Sequence, residues 1–179
     1  MKIISIDLAI HQTGVSILTV PPSGVPGPKL TLQGTITFKE TLGSKYKVLD
    51  WLQLHKMEQP GGFLNWLYRM YEVGDIILIE WNPSSLSHLL EKFTIEVVSY
   101  LWGKGYKVVP MQANRWMNVA DDYFAIKRSK YPNDRNGNKK WISDLAISQL
   151  VGVHQYGSQD EMDATVMGIT YFYNPQRFL

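Results

Sequence analysis

KIISIDLAIHQTGVSILTV, residues 2–20, is the stretch whose reading decides the fold. Its first half is an Ile-rich apolar run that ends on a carboxylate, Asp7, and its second half is another apolar run that begins near Thr13. Aspartate is a poor strand former and is expensive to bury without a partner. Either the strand stops at Asp7 or something offsets the cost of the charge. The two runs fit a tight antiparallel pair, with Gly14 easing the turn into the second strand.

Beyond this pair, PPSGVPGPK (21–29) is a loop by its Pro and Gly content, and LTLQGTITF (30–38) alternates as a third strand should. Helical spacing marks YKVLDWLQLHKM (46–57) and GFLNWLYRMYEVG (62–74), divided by Pro60, Gly61 and Gly62. DIILIEW (75–81) is a continuous apolar run of the kind buried on both faces and paired in parallel. In NPSSLSHLLEKFTIEVVSYLWGKG (82–105), Leu86, Leu90, Phe93, Val97 and Leu101 recur at helical intervals and predict a long helix from about Pro83 to Trp102. YKVVP (106–110) reads as a fifth strand. Helices follow in ANRWMNVADDYFA (113–125), KWISDLAISQLVG (140–152) and SQDEMDATVMGITYFY (158–173), the last opening with Ser158 and Glu161 in a capping-box pattern. The order predicts an α/β fold: a five-stranded mixed sheet that begins as a meander and is flanked by helices. No repeat or long linker divides the chain, so residues 1–179 are expected to form one domain.

Composition narrows the chemistry. With 179 residues, 45% of them hydrophobic, the chain can bury a sizeable core, and the absence of Cys excludes disulfides, thiolate zinc sites and a cysteine nucleophile. Any metal must therefore sit on oxygen or imidazole. His11, His88 and His154 lack metal-ligand spacing and are left outside the site. No apolar run approaches a membrane span and the N-terminus runs directly into a strand, so a cytoplasmic protein is expected.

Three acidic positions stand out. Asp7 ends the first strand, Glu80 ends the run DIILIE, and Asp160 and Asp163 lie one turn apart on the last helix, where residues three apart share a face. Met162, Val166, Ile169 and Tyr173 mark the core side of that helix and leave Asp163 on the side shared with Asp160. Parallel pairing of the first and fourth strands would bring Asp7 and Glu80 to one sheet edge, with the last helix closing the pocket. Clustered carboxylates repel unless cations are present, and Mg²⁺ or Mn²⁺ take oxygen ligands. Two such ions about 4 Å apart serve phosphodiester hydrolysis by activating a water and stabilising the leaving oxygen. Taken singly, each acid is equally a strand-end or helix-dipole residue; the coincidence of all of them is the signal. Glu161 reads as the capping partner of Ser158 and stays outside the site.

The net charge of +2 conceals a cluster, because Lys127, Arg128, Lys130, Arg135, Lys139 and Lys140, six of the 18 basic residues, crowd into IKRSKYPNDRNGNKK (126–140). Such a stretch suits a polyanion and also suits a solvated loop.

Taken together, IDLAIHQTG (6–14), IILIEW (76–81) and DEMDATVMG (160–168) resemble RuvC-type Holliday-junction resolvases, in particular phage-encoded members. The family opens with Ile-Asp followed by Thr-Gly, ends its fourth strand in a catalytic Glu, and closes with an Asp-x-x-Asp-Ala helix. These matches run in order from residue 3 to about residue 170. The resemblance implies a ribonuclease H-like fold, a homodimer formed through the long helix, and Mg²⁺-dependent nicking of branched DNA. It assigns the catalytic and metal-holding roles to Asp7, Glu80, Asp160 and Asp163. The family's Pro-Gly after the first Asp is replaced here by Leu8 and Ala9. Many members carry an aromatic wedge a few residues after the catalytic Glu; Trp81 is the nearest aromatic here, and a core or interface role fits it equally. With this resemblance the basic stretch becomes the candidate DNA contact, and Tyr131 and Trp141 become candidates for stacking on unpaired bases.

Two other functions use similar features. A ribonuclease acting on RNA–DNA hybrids shares the acid cluster, and a non-catalytic junction-binding module would need only the basic loop. An actin-like kinase also ends its first strand in Asp, but the turn here lacks a Gly-rich phosphate loop and 179 residues cannot supply two such domains.

Overall fold

A computed structural model describes residues 1–9, 12–21, 30–39, 57–81, 88–124, 150 and 156–178. Its strands are β1 (Lys2–Asp7), β2 (Gln12–Thr19), β3 (Thr31–Lys39), β4 (Ile76–Trp81) and β5 (Val108–Gln112). Its helices are α1 (Phe63–Met70), α2 (His88–Gly103), α3 (Ala113–Phe124) and α4 (Gln159–Tyr173), followed by a 3₁₀ turn, Pro175–Arg177. The strands form one sheet in the order β3-β2-β1-β4-β5. β1, β2 and β3 are antiparallel in sequence, whereas β1–β4 and β4–β5 are parallel. This is the expected meander followed by parallel strands.

The Ile-rich central strands have apolar side chains on both faces, and alternation sorts them into two cores. Ile3, Ile76 and Leu78 join Leu18, Trp116, Val166 and Met167 on the side of α3 and α4. Ile4, Ile6, Ile77 and Ile79 join Leu64, Leu67, Phe93 and Val97 on the side of α1 and α2. Burying each such side chain contributes roughly 1.5–3 kcal/mol before entropy is counted. β3 is an edge strand, and most of its residues are only half-buried.

The structure revises some local expectations. Gly14 lies within β2, paired with Asp7, so it does not ease the turn. That turn is pinned instead by Thr13, whose hydroxyl donates to the Ala9 carbonyl (3.1 Å) and accepts from the Ala9 amide (3.2 Å). Leu8, which stands in place of the family's Pro, is buried in the second core. In α4, Val166 and Ile169 are fully buried as expected, but every residue from Ala164 to Tyr171 is buried as well. The reason is that the helix is covered on two sides. Gly168 lies so close to the sheet that a Cβ there would stand 2.5 Å from Ser5 Oγ and 2.7 Å from Leu18 Cδ1. Met162 and Tyr173 lie at the margin of this core, where Tyr173 stacks on Tyr123 of α3 at 5.3 Å.

The helix expected over 46–57 apart from Met57, the start of the long helix at 82–87, the basic stretch 126–140 and the helix over 140–152 lie outside the described residues apart from Leu150. Among the described residues no helix is long and apolar enough to cross a membrane.

Candidate metal centre at the sheet edge

The period of two that separates the cores also aims the acids. Asp7 follows Ile3 and Ser5 on the α4 side of β1, and Glu80 follows Ile76 and Leu78 on the same side of β4. Because Ile6 is in register with Ile79, the next residues, Asp7 and Glu80, emerge at the same edge. α4 begins above this edge. Ser158 caps it, its hydroxyl accepting from the Glu161 amide at 3.2 Å, and Asp160 and Asp163 follow one turn apart.

Asp7, Asp160 and Asp163 each offer an oxygen within 4.8 Å of the others, and all three are partly buried. Glu80 adjoins this group. Burial raises its pKa most, the charges of Asp163 and Asp160 raise it further, and the Trp116 N–H pulls it down; the carboxyl is pushed up to about 7. The structure therefore brings all four sequence-derived acids to one place, with three in the tightest group.

Neutral donors hold these carboxylates in orientation. Trp116 Nε1 donates to Glu80 Oε2 at 2.9 Å, Gln12 Nε2 to Asp160 Oδ2 at 2.7 Å, and Gln159 Nε2 to Asp163 Oδ1 at 2.8 Å. Reading the sequence missed all three donors. A buried Trp needs an acceptor for its N–H, which was the available signal for Trp116; for Gln159 the signal was its i,i+4 spacing to Asp163 on the last helix, and Gln12 carried none beyond lying near Asp7.

Gly14 is the other missed residue. A Cβ on it would stand 2.5 Å from the Glu161 amide nitrogen and overlap the Asp160 carbonyl, so only glycine lets the start of α4 settle on β2. An isolated Gly in a strand pattern is a known sign of such close approach.

Glu161 points away from the acid group. Its carboxylate accepts from the Gly157 amide (2.7 Å), Thr35 (2.7 Å) and Thr37 (2.5 Å), which ties the helix to β3. Burial alone would raise its pKa, but the hydrogen bonds from Thr37, Thr35 and the backbone outweigh it and hold the carboxyl below its ordinary value.

Trp81 alternates to the opposite face from Glu80. There it lines a small apolar cleft of about 160 Å³ with Ile95, Val98 and Trp102 of α2 and with Pro110. That setting favours the core or interface reading of Trp81. Lys127, Arg128, Lys130, Arg135, Lys139 and Lys140 lie outside the described residues.

The donor set is oxygen only, negatively charged and held on rigid elements, which suits hard divalent cations.

The sequence matches no protein-family model and no curated protein. The fold, in contrast, is shared with solved structures. Thermus thermophilus RuvC in complex with a Holliday junction substrate superimposes with a TM-score of 0.65 at 12% identity, covering 98% of this chain and 96% of that one. The Fowlpox virus resolvase in complex with substrate Holliday junction DNA gives a TM-score of 0.59 at 14% identity, covering 98% and 99%. At these identities the likeness is one of fold: the chain has the ribonuclease H-like architecture of RuvC-type resolvases, a five-stranded mixed sheet flanked by helices.

Proposed function

We propose that this chain is a structure-selective endodeoxyribonuclease that resolves branched DNA, Holliday and related junctions, by divalent-metal-dependent phosphodiester hydrolysis. The observation that carries the reading is the convergence of Asp7, Asp160 and Asp163 within 4.8 Å, with Glu80 adjoining, at the sheet edge of a resolvase fold. In this reading the four acids hold two Mg²⁺ ions, for which Mn²⁺ substitutes. Bound there, the ions supply an activated water and stabilise the leaving oxygen. The protein's part is positional: strand ends fix Asp7 and Glu80, the capped start of α4 fixes Asp160 and Asp163, and Trp116, Gln12 and Gln159 orient the carboxylates.

The protein acts in the cytoplasm as a homodimer, whose two-fold symmetry sets two centres on opposing strands of a junction. The half-exposed Ile95 and Trp102 of α2 give this helix apolar surface for the partner copy. Lys127, Arg128, Lys130, Arg135, Lys139 and Lys140 neutralise DNA phosphates and give the complex its salt sensitivity.

The test is incubation with labelled four-way, three-way and linear duplex DNA, in Mg²⁺ or in EDTA. Metal-dependent nicking confined to the branched substrates is expected. Binding without cleavage under any divalent metal would make the chain a junction-binding module, and cleavage confined to RNA–DNA hybrids would make it a ribonuclease. Asp7→Asn, Glu80→Gln and Asp163→Asn should each lower the cleavage rate by about 100-fold or more while junction affinity in EDTA stays within about twofold. Full activity in any of them removes that residue from the centre.

A further inference from the structure

We propose that the cleft between α3 and the C-terminal turn, lined by Gln112, Asn114, Arg115, Asn118 and Arg177 over a floor of Val119, binds one backbone phosphate of the DNA strand leading away from the acid group. This inference rests on the nuclease reading and adds a substrate contact separate from both the four acids and the basic stretch 126–140.

Position is the first argument. Gln112 ends β5 in register with Trp81, one residue beyond Glu80, and so lies at the same sheet edge as the acids. Trp116, next in sequence to Arg115, donates to Glu80. A strand whose scissile phosphate lies at the acids therefore passes the first turn of α3 on its way out.

Chemistry is the second. The cleft has a volume of about 580 Å³, enough for a phosphodiester and its sugars, and its rim carries two guanidinium groups and three side-chain amides. Guanidinium and amide N–H groups are the donors that fit phosphate oxygens. Arg115 is already held in place: it donates to the Arg177 carbonyl, and its guanidinium carbon lies 5.8 Å from the centre of the Phe178 ring. Among the described residues that carbonyl is its only hydrogen-bond partner, so most of the donors of its fork remain for a ligand. Arg177 directs both terminal nitrogens to one Asp122 oxygen, at 3.3 and 3.2 Å. Both partners are well exposed, at 46% and 66% for the side chains. Exposed pairs of this kind contribute little, so a phosphate can compete for Arg177.

Need is the third. The four acids repel a DNA strand as well as each other, and fixed cations beside them offset that repulsion without occupying the centre.

The experiment is equilibrium binding of a fluorescent four-way junction in EDTA across a salt series, for the wild type, Arg115→Gln, Arg177→Gln and the control Arg69→Gln, at an exposed position of α1. Arg115→Gln should weaken binding about tenfold and reduce the slope of log affinity against log salt by about one, with Arg69→Gln unchanged. A second measurement places single uncharged methylphosphonate linkages at successive positions along the strand. At one position beyond the cut, the neutral linkage should weaken the wild type about tenfold and leave Arg115→Gln unaffected. If the wild type binds the junction but no position couples to Arg115, or if Arg115→Gln behaves as Arg69→Gln does, the cleft is not a phosphate site and the nuclease reading stands. Failure of the wild type to bind any branched DNA overturns both.

Discussion

Glu80 combines deep burial with two acidic neighbours. Its carboxyl, pushed up to about 7 by burial and by Asp163 and Asp160, is protonated in the metal-free protein below neutrality. A cation bound at the group has to displace that proton. Calorimetric titration of metal in buffers of differing ionisation enthalpy should show about one proton released per site near pH 6 and almost none above about pH 8. The stability consequence has a definite sign. Because the folded pKa lies above the unfolded one, stability is full below the ordinary Glu value and is lost as pH rises through about 7. Thermal melts in EDTA should show this fall, and Glu80→Gln should flatten it. At this scale the acids were legible because carboxylates at strand ends and three apart on a helix are visible as spacing. Trp116 and Gln12 were not, because their acids are brought to them by tertiary packing; Gln159 lies one turn before Asp163 on the same helix and was simply overlooked.

Among the elements, α4 is the one whose placement decides the site, and two residues outside its acids fix it. Gly14→Ala should cost about 1–3 kcal/mol and lower cleavage strongly, since the added methyl drives the backbone at Asp160 and Glu161 off the sheet. Gly34→Ala on β3, where a Cβ meets nothing within 4 Å, is the matched control, and denaturant melts of the two variants check the contrast. Glu161 works from the other side through Thr35, Thr37 and the Gly157 amide. Its lowered pKa means that its contribution is present above the ordinary Glu value and is lost as pH falls through the folded one. Glu161→Gln should therefore destabilise the protein near neutrality by about 1–3 kcal/mol and narrow the gap to wild type in acid, as melts at pH 7 and near pH 3 would show. The capping pattern made the start of α4 readable from sequence. The reason Gly14 has no side chain was misread, because clearance between a helix end and a strand is a property of packing.

For the whole molecule, strand alternation and apolar runs were enough to give a five-stranded mixed sheet with a meander at its start, whereas the parallel pairing of β1 with β4, on which the acid cluster depends, entered the sequence reading only as a condition. The two-sided burial of α4 was not legible, since the elements that cover it are remote in sequence. The fold as a whole bears the repulsion among four acids, and relief of that repulsion should be measurable globally. Divalent cation at about 100 times its dissociation constant should stabilise the protein by about 2.7 kcal/mol, which for a chain of this size is a rise in Tm of roughly 5–10 °C, reversed by EDTA. Differential scanning fluorimetry with Mg²⁺, Mn²⁺ and EDTA checks it, and Asp163→Asn should show a smaller rise.

The acids enter the chain in the order 7, 80, 160, 163, and α4 is the last helix among the described elements. During synthesis the ribosome releases β1 and β4 long before the helix that completes the acid group. A nascent or truncated chain lacking α4 therefore has half of the carboxylates and no roof over them. On the proposed nuclease reading, cleavage awaits the folding of α4, so the order of the elements would protect the DNA of the cell making the protein from its own unfinished copies.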